Sequence, residues 1–144
     1  MLLSIVLTVF LVLTVVAFRY WVMSQLLRLL PDEDEVHSHF FRSLTVLILL
    51  VCAHVVEILY FAAGFYAASI WLDLGSLGDS IGNEFMDFFY HSAVTYSSLG
   101  MSEIPTGHLR FMTALESLTG IIILTWSATF FYSVMGRNRR PDCD

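Results

Sequence analysis

The sequence predicts an all-α membrane protein with three transmembrane helices and a shorter, re-entrant helix between the second and the third. Hydrophobic residues make up 57% of the 144 residues and charged residues only 14%, which is well below the charged fraction of an ordinary soluble domain. The mean hydropathy is +0.73. The apolar residues also form long blocks rather than periodic patterns, as in segments that face lipid.

The first apolar block lies within residues 1–30, which we predict to be the first transmembrane helix with an amphipathic extension. Residues 2–18 are almost wholly apolar, and the first charged residue, Arg19, follows them. Because a secretory signal carries basic residues before its apolar core, this order favours a membrane span over a cleaved signal, which stays the alternative. Residues 20–30 mix apolar and polar side chains and extend the span or lie at the interface, and Pro31 ends them.

The rest of the chain divides by polarity. Residues 31–42 are acidic and predict a polar loop, and residues 43–71 are long enough to cross the bilayer with some tilt. Residues 84–95 are too short to cross, so we expect a re-entrant helix that protein covers at membrane depth. Residues 110–135 predict the third span, and residues 136–144 form a polar tail.

The arginines predict the orientation. Lysine is absent, and the arginines between the first and second spans and after the third outnumber the single one between the second and third: Arg19, Arg28, Arg42, then Arg137, Arg139 and Arg140, against Arg110. Positively charged loops stay in the cytoplasm. The loop at 31–42 and the tail are therefore predicted to be cytoplasmic. The N-terminus and the connection between the second and third spans are predicted to lie outside.

Residues 88–135, a third of the chain, follow an order found in ion channels. An aromatic helix leads into a turn of small residues, then a Pro/Gly stretch and a long apolar segment. The stretch at 95–103, TYSSLGMSE, resembles the filter motif TxTTVGYGD of potassium channels. Gly100 matches the first glycine, whereas Met101 and Ser102 stand at the tyrosine and the second glycine. The chain thus resembles a small bacterial potassium-channel-like family of pore-loop proteins with a divergent filter.

This resemblance implies a homotetramer in a bacterial inner membrane. Residues 43–135 would be the pore module, with an outer helix at 43–71, a pore helix at 84–95, a filter strand at 95–103 and an inner helix at 110–135. Backbone carbonyls in such a filter replace the water shell of the ion. The implied ion-binding residues are Ser97, Ser98, Leu99, Gly100, Met101, Ser102 and Glu103.

The filter departs from the motif mainly in its outer half. Ser98 is expected to line the innermost ion site, and the Leu99 side chain to pack behind the strand. Ser102 would resist the positive φ that glycine reaches, and Met101 lacks the tyrosine hydroxyl. We therefore expect a potassium-permeable channel of reduced selectivity, with Na⁺ as a second permeant ion. The alternative is a non-conducting membrane scaffold or regulatory subunit that keeps the channel fold.

Two ionisable residues lie within the second span. His54 and Glu57 are three residues apart and share one face of a helix. A carboxylate inside a membrane is costly, and it indicates a function by default. One hypothesis is a proton-sensitive pair that biases the inner helix. The other is a buried structural pair that reaches Trp126 or Ser127.

Other residues are candidates for supporting or moving the filter. Gly120 lies where the inner helices of similar channels bend in gating, or it allows close helix packing. Asp87 suits the start of a helix, where the dipole favours a carboxylate. Glu116 would sit behind the filter or face a vestibule, and Trp126 is a further support candidate.

Nothing in the sequence predicts an enzyme, a cofactor or a nucleic-acid partner. No nucleophile–base arrangement, phosphate loop or cofactor motif is present, and the net charge of −6 argues against nucleic acid. His37 and His39 beside the acidic run are weak evidence for a metal site. The expected partners are copies of the chain and membrane lipid, and the expected ligand is the permeant cation alone.

Overall fold

The computed structural model describes residues 2–29, 36–78, 82, 84–100 and 103–137. Its helices are α1 (Leu2–Leu29), α2 (Val36–Tyr66), α3 (Phe85–Tyr96) and α4 (Leu109–Arg137). Among these described residues, three segments are long and apolar enough to cross a membrane: Leu2–Arg28, Phe41–Trp71 and Leu109–Met135. The prediction of an all-α protein with three candidate spans is therefore confirmed.

The bounds of the first two helices differ from the predicted ones in one respect. α1 is a single continuous helix, so the amphipathic stretch at 20–29 extends the first span. α2 begins at Val36, inside the predicted polar loop at 31–42, and that boundary was wrong. No glycine or proline interrupts the chain between Val36 and Arg42, so the helix propagates outward beyond the apolar block. The acidic run at 32–35 lies outside the described residues.

The second helix ends in a wider turn. α2 continues directly into a five-residue π-helix, Ala67–Trp71, which ends where the second span was predicted to end. The hydroxyl of Ser69 donates to the carbonyl of Gly75 at 2.9 Å and holds the following connection against this turn. The chain therefore leaves α2 in a fixed direction.

Two connections meet at this end of the molecule. The amide of Thr106 donates to the carbonyl of Ser76 at 2.8 Å, and the amide of His108 donates to that of Leu74 at 2.9 Å. Gly107 has a φ of +57°, and a Cβ there would lie only 2.5 Å from the Leu74 oxygen. The connection after α2 and the connection before α4 are thus bonded to each other directly before α4 begins.

Helix α3 lies between α2 and α4, and α1 packs against both of those long helices. The buried core joins all four helices and includes Leu11, Val15, Phe61, Phe65, Phe88, Tyr96, Met112 and Ile123. Between 28% and 33% of the most hydrophobic window of each candidate span is buried within the chain. Most of the apolar surface is thus left for lipid or for other copies.

Both ends of α3 are capped. At the start, a carboxylate oxygen of Asp87 accepts a hydrogen bond from the Glu84 amide at 3.2 Å. At the end, the amide of Leu99 donates to the carbonyl of Val94 at 3.1 Å and that of Ser98 to Thr95 at 3.0 Å. Ser98 has a φ of +57°. This combination is a Schellman motif, with Ser98 in the left-handed position that glycine usually takes.

The cap of α3 includes the first residues of the predicted filter strand. Residues 95 and 96 are the last turn of α3, and residues 97–99 form its cap, so the described part of the segment at 95–103 begins as a helix end and not as an extended strand. The reason is local: the amides released by the last turn bond back to α3 carbonyls, which the sequence match alone does not reveal. Met101 and Ser102 lie outside the described residues.

Candidate functional site

Tyr96, the last residue of α3, lies at the middle of two candidate spans. Its side chain contacts Glu57, and its backbone contacts Gly120. Glu57 is 16 residues from the start and 14 from the end of the span Phe41–Trp71. Gly120 is 11 residues from the start and 15 from the end of Leu109–Met135. Helix α3 therefore ends at about half the depth of the two long helices.

Glu57 is held by a two-bond ion pair with Arg19 of α1. The Arg19 Nε donates to Oε1 at 2.9 Å, and the Nη2 donates to Oε2 at 2.6 Å. Both side chains are 0% exposed. A bidentate arginine–carboxylate pair is among the strongest charge-assisted contacts, and burial removes the water that would weaken it. The sequence predicts Arg19 only as the first charge after the apolar run, and it does not reveal this partner.

Tyr96 and His54 complete the cluster. The Tyr96 hydroxyl donates to Glu57 Oε2 at 2.5 Å. Burial, reinforced by the neighbouring Glu57, raises the pKa of Tyr96 well above its ordinary value, so its hydroxyl keeps the donated proton. His54 Nδ1 lies 2.7 Å from Arg19 Nη2 and 3.0 Å from the Tyr96 oxygen. Because a guanidinium only donates, Nδ1 is the acceptor in its contact with Arg19.

This four-residue network replaces the predicted contact with α4. His54 and Glu57 do lie together, with Nδ1 3.5 Å from Oε2. The predicted partners lie elsewhere: the Ser127 hydroxyl donates to the carbonyl of Ile123 at 2.7 Å, and Trp126 is 38% exposed. A buried carboxylate needs a cation as a partner, and Arg19 of α1 is the cation that pairs with Glu57.

The burial of Arg19 reduces the difference in arginine count that predicts the orientation. Arg19 lies within α1 and is fully buried, so it does not count as a loop charge. Arg28 lies near the end of α1, Arg42 lies near the start of the second candidate span, and Arg110, in the first turn of α4, is the single arginine in the sequence from residue 43 to residue 136. The charge bias keeps its sign, with a smaller difference.

A second polar contact joins α3 to α2 and α4. The Ser92 hydroxyl lies 2.5 Å from Glu116 Oε1 and 2.9 Å from the carbonyl of Ile58. Glu116 is 0% exposed, and its Oε2 has no partner among the described residues. Glu116 is therefore buried against α3 in the single chain, and its support of the filter stays a prediction.

His91 fills a largely apolar position in α3. Its Nε2 lies 3.2 Å from the Thr113 hydroxyl, and its ring packs edge-to-face on Phe65 at 4.9 Å between centroids. Burial lowers the pKa of His91 to about 4. The imidazole is therefore neutral at neutral pH, and its role here is packing between α3 and α4.

Gly120 allows α4 to touch the backbone of α3. A Cβ at this position would lie 3.0 Å from the Tyr96 Cα and closer still to its carbonyl oxygen. α4 runs as an unbroken helix through this point. The geometry gives a direct packing reason for Gly120, and its role as a gating hinge stays a prediction.

The loop after α3 borders an open cleft of about 430 Å³. The Ser98 hydroxyl lies 3.2 Å from that of Ser117 on α4 of the same chain. The Leu99 side chain is 81% exposed, so the expectation that it packs behind the strand was wrong for the single chain. Gly100 has a φ of +92°. Polar residues that line the cleft include Thr95, Ser98, Glu103, Arg110 and Ser117.

The remaining candidates have simpler places. Asp87 caps the start of α3 and lies at the opposite end of that helix from the loop it was expected to support. Residues 37 and 39 are part of α2 and not of a flexible loop. Within the described part of the chain, no group of three or more His, Cys, Asp or Glu side chains could hold a metal ion.

Comparisons of the chain with protein-family models, with curated proteins and with solved structures found no match. The function is therefore inferred from the site and from the motif residues themselves.

Proposed function

We propose that the protein is a membrane cation channel in which four copies surround a central pore. In this proposal α2 is the outer helix, α3 the pore helix, residues 97–103 the filter and α4 the inner helix. The observation that carries it is the depth of α3, whose last residue contacts Glu57 and Gly120 at the middle of the two long helices.

The length of α3 agrees with a re-entrant helix. Its 12 residues span about 18 Å at 1.5 Å per residue, roughly half of a membrane with its headgroups. A helix that stops inside the bilayer must have its free carbonyls satisfied by protein. The cap on Val94 and Thr95 does this at the end of α3. The face of α3 that carries Met86 and Tyr90 is exposed in the single chain and suits contact with a neighbouring copy.

The electrostatics favour a cation near the end of α3. The carbonyl end of a helix carries a partial negative charge, and the last turn of α3 contains no basic residue that would neutralise it. An ion that sheds water at mid-membrane needs such oxygen and dipole partners. One chain supplies one such end, so several copies are required to surround an ion.

The proposed permeant ion is K⁺, with Na⁺ less well excluded than in channels that keep the whole motif. Gly100 adopts the positive φ that its match to the motif requires. Met101 and Ser102 depart from the motif at the next two positions. The proposed location is a bacterial inner membrane, which the chain crosses several times.

One observation favours the second candidate, a non-conducting scaffold. The amides of Ser98 and Leu99 are bonded back to α3, so a row of inward carbonyls requires this cap to open or shift. If the cap persists in the assembled protein, the fold serves as a membrane subunit without a filter.

The two candidates separate in one experiment. Native mass spectrometry should show tetramers, and tetramers in liposomes should pass K⁺. Gly100→Ala is the matched variant, because no atom lies within 4 Å of the added Cβ and the change acts through backbone strain alone. We expect intact tetramers with reduced flux. Intact tetramers without flux in either protein would support the scaffold.

A further inference from the structure

Helix α1 carries a charged residue, Arg19, inside a largely apolar candidate span. Arg19 is fully buried, and its Nη1 has no partner among the residues that the structure describes. Burying a guanidinium is costly, and such residues persist in spans where they hold another group in place. The bonds of Arg19 lead to Glu57 and His54 of α2.

From Glu57 the contacts continue to the end of α3. The Tyr96 hydroxyl donates to the same Oε2 that Arg19 Nη2 binds. On its backbone side, Tyr96 is pressed against Gly120 of α4. Tyr96 is thus fixed through its side chain by α1 and α2 and through its backbone by α4.

The residue after Tyr96 begins the loop proposed as the filter. The cap amides of Ser98 and Leu99 bond to Thr95 and Val94, the two residues that precede Tyr96. Any movement of Tyr96 therefore shifts both the acceptors of the cap and the first residue of the loop.

We infer that Tyr96 is a positioning residue for the filter, and that Arg19 and Glu57 are the anchor that holds it. This inference rests on the proposed channel function and gives α1 a part in selectivity, although α1 contributes no residue to the loop. Loss of the Tyr96 hydroxyl leaves the Arg19–Glu57 pair in place, so the change loosens the loop without unfolding the bundle.

The first test needs no ion current. Hydrogen–deuterium exchange in lipid nanodiscs is measured over residues 94–100 in the wild type, Tyr96→Phe and Tyr90→Phe. Tyr90 lies on the same helix but is 71% exposed, so it controls for the loss of a tyrosine hydroxyl. We expect exchange in Tyr96→Phe to be at least threefold faster than in the wild type. Exchange in Tyr90→Phe should equal that of the wild type. Equal exchange in the two variants overturns the inference. Glu57→Asp, which keeps the charge but withdraws the carboxylate, should act like Tyr96→Phe.

The second test measures the K⁺/Na⁺ permeability ratio of the same proteins. We expect the ratio to fall at least twofold in Tyr96→Phe and to stay unchanged in Tyr90→Phe. If no protein conducts but exchange still rises in Tyr96→Phe, the channel function fails while the role of Tyr96 in positioning the loop stands. If the wild type conducts and Tyr96→Phe changes neither exchange nor selectivity, the channel function stands and the positioning role is overturned.

Discussion

Arg19 of α1 and Glu57 of α2 form a bidentate ion pair in which both side chains are fully buried, with donor–acceptor distances of 2.9 and 2.6 Å. Glu57 lies near the middle of the second candidate span, and Tyr96 joins the pair from α3. The pair and Tyr96 therefore link α1, α2 and α3 at one point. This explains why a carboxylate and a guanidinium are kept in segments that are otherwise apolar.

Breaking this pair from one side should be strongly destabilising. We predict that Arg19→Met lowers the free energy of unfolding by about 3–5 kcal/mol, because Glu57 is left as an unpaired buried charge. The double variant Arg19→Met, Glu57→Leu removes both charges and should recover most of that loss. Thermal melting in detergent measures the three proteins. A double variant as unstable as the single one would show that the ion pair is not what Arg19 contributes.

Gly120 should tolerate a methyl group much less well than Gly64. A Cβ at Gly120 meets the Tyr96 backbone, whereas a Cβ at Gly64 meets the end of the Leu11 side chain at 2.5 Å, which can rotate away. We predict that Gly120→Ala costs roughly 1–3 kcal/mol, as overpacking typically does, and that Gly64→Ala costs less. Melting of the two variants decides this. Equal costs would mean that α3 and α4 separate easily at this contact.

His91 should make stability depend on acidity. Its pKa is lowered to about 4 in the folded protein by burial, while an unfolded histidine has a pKa near 6.5. Between these values the unfolded state binds more protons, so stability falls as the pH drops from about 6.5 towards 4. His91→Gln removes the titrating group. We predict that the loss of stability over this range is smaller in His91→Gln, by on the order of 1–3 kcal/mol. Parallel pH curves for wild type and variant would contradict this role of His91.

Ser98 occupies a backbone conformation that suits glycine better. We predict that Ser98→Gly raises stability by about 0.5–1 kcal/mol, because φ is +57° at this position and glycine has no Cβ penalty there. Ser97, with a φ of −81°, is the matched control, and Ser97→Gly should give no gain. If Ser98→Gly destabilises the protein, the left-handed cap is not its dominant conformation in the membrane.

The long helices could be predicted because hydrophobicity over about 20 residues is a strong signal. The short helix was predicted at 84–95 and is found at Phe85–Tyr96, since its polar approach and aromatic composition mark its start. The start of α2 was missed, because Pro31 and the acidic run suggested a loop that continued to Arg42, whereas the helix begins at Val36.

Within the site, His54 and Glu57 could be found from their spacing, but Arg19 and Tyr96 could not. Arg19 follows an apolar run and so looked like the end of a span, and its pairing is set by tertiary packing between residues 38 positions apart. Tyr96 looked like part of a filter strand because the motif match gave no information on where the helix ends. The cap at Ser98 depends on backbone geometry that many sequences can adopt.

The divergent positions of the filter offer a prediction from sequence. Met101→Tyr with Ser102→Gly should sharpen the preference for K⁺ over Na⁺, since glycine removes a Cβ penalty of roughly 1–2 kcal/mol at positive φ and tyrosine adds a polar brace. Ser102→Gly alone should give part of the gain and Met101→Tyr alone little. A wild type that already selects K⁺ strongly would show that Ser102 does not weaken the filter.

The reversal potential of the wild-type protein in planar bilayers, with K⁺ on one side and Na⁺ on the other, tests the central claim most directly. The proposed channel predicts a cation current whose reversal potential is shifted towards the K⁺ equilibrium potential, but by less than a perfectly selective pore would give. Bilayers that contain intact tetramers and pass no current, or a current carried by anions, would contradict it.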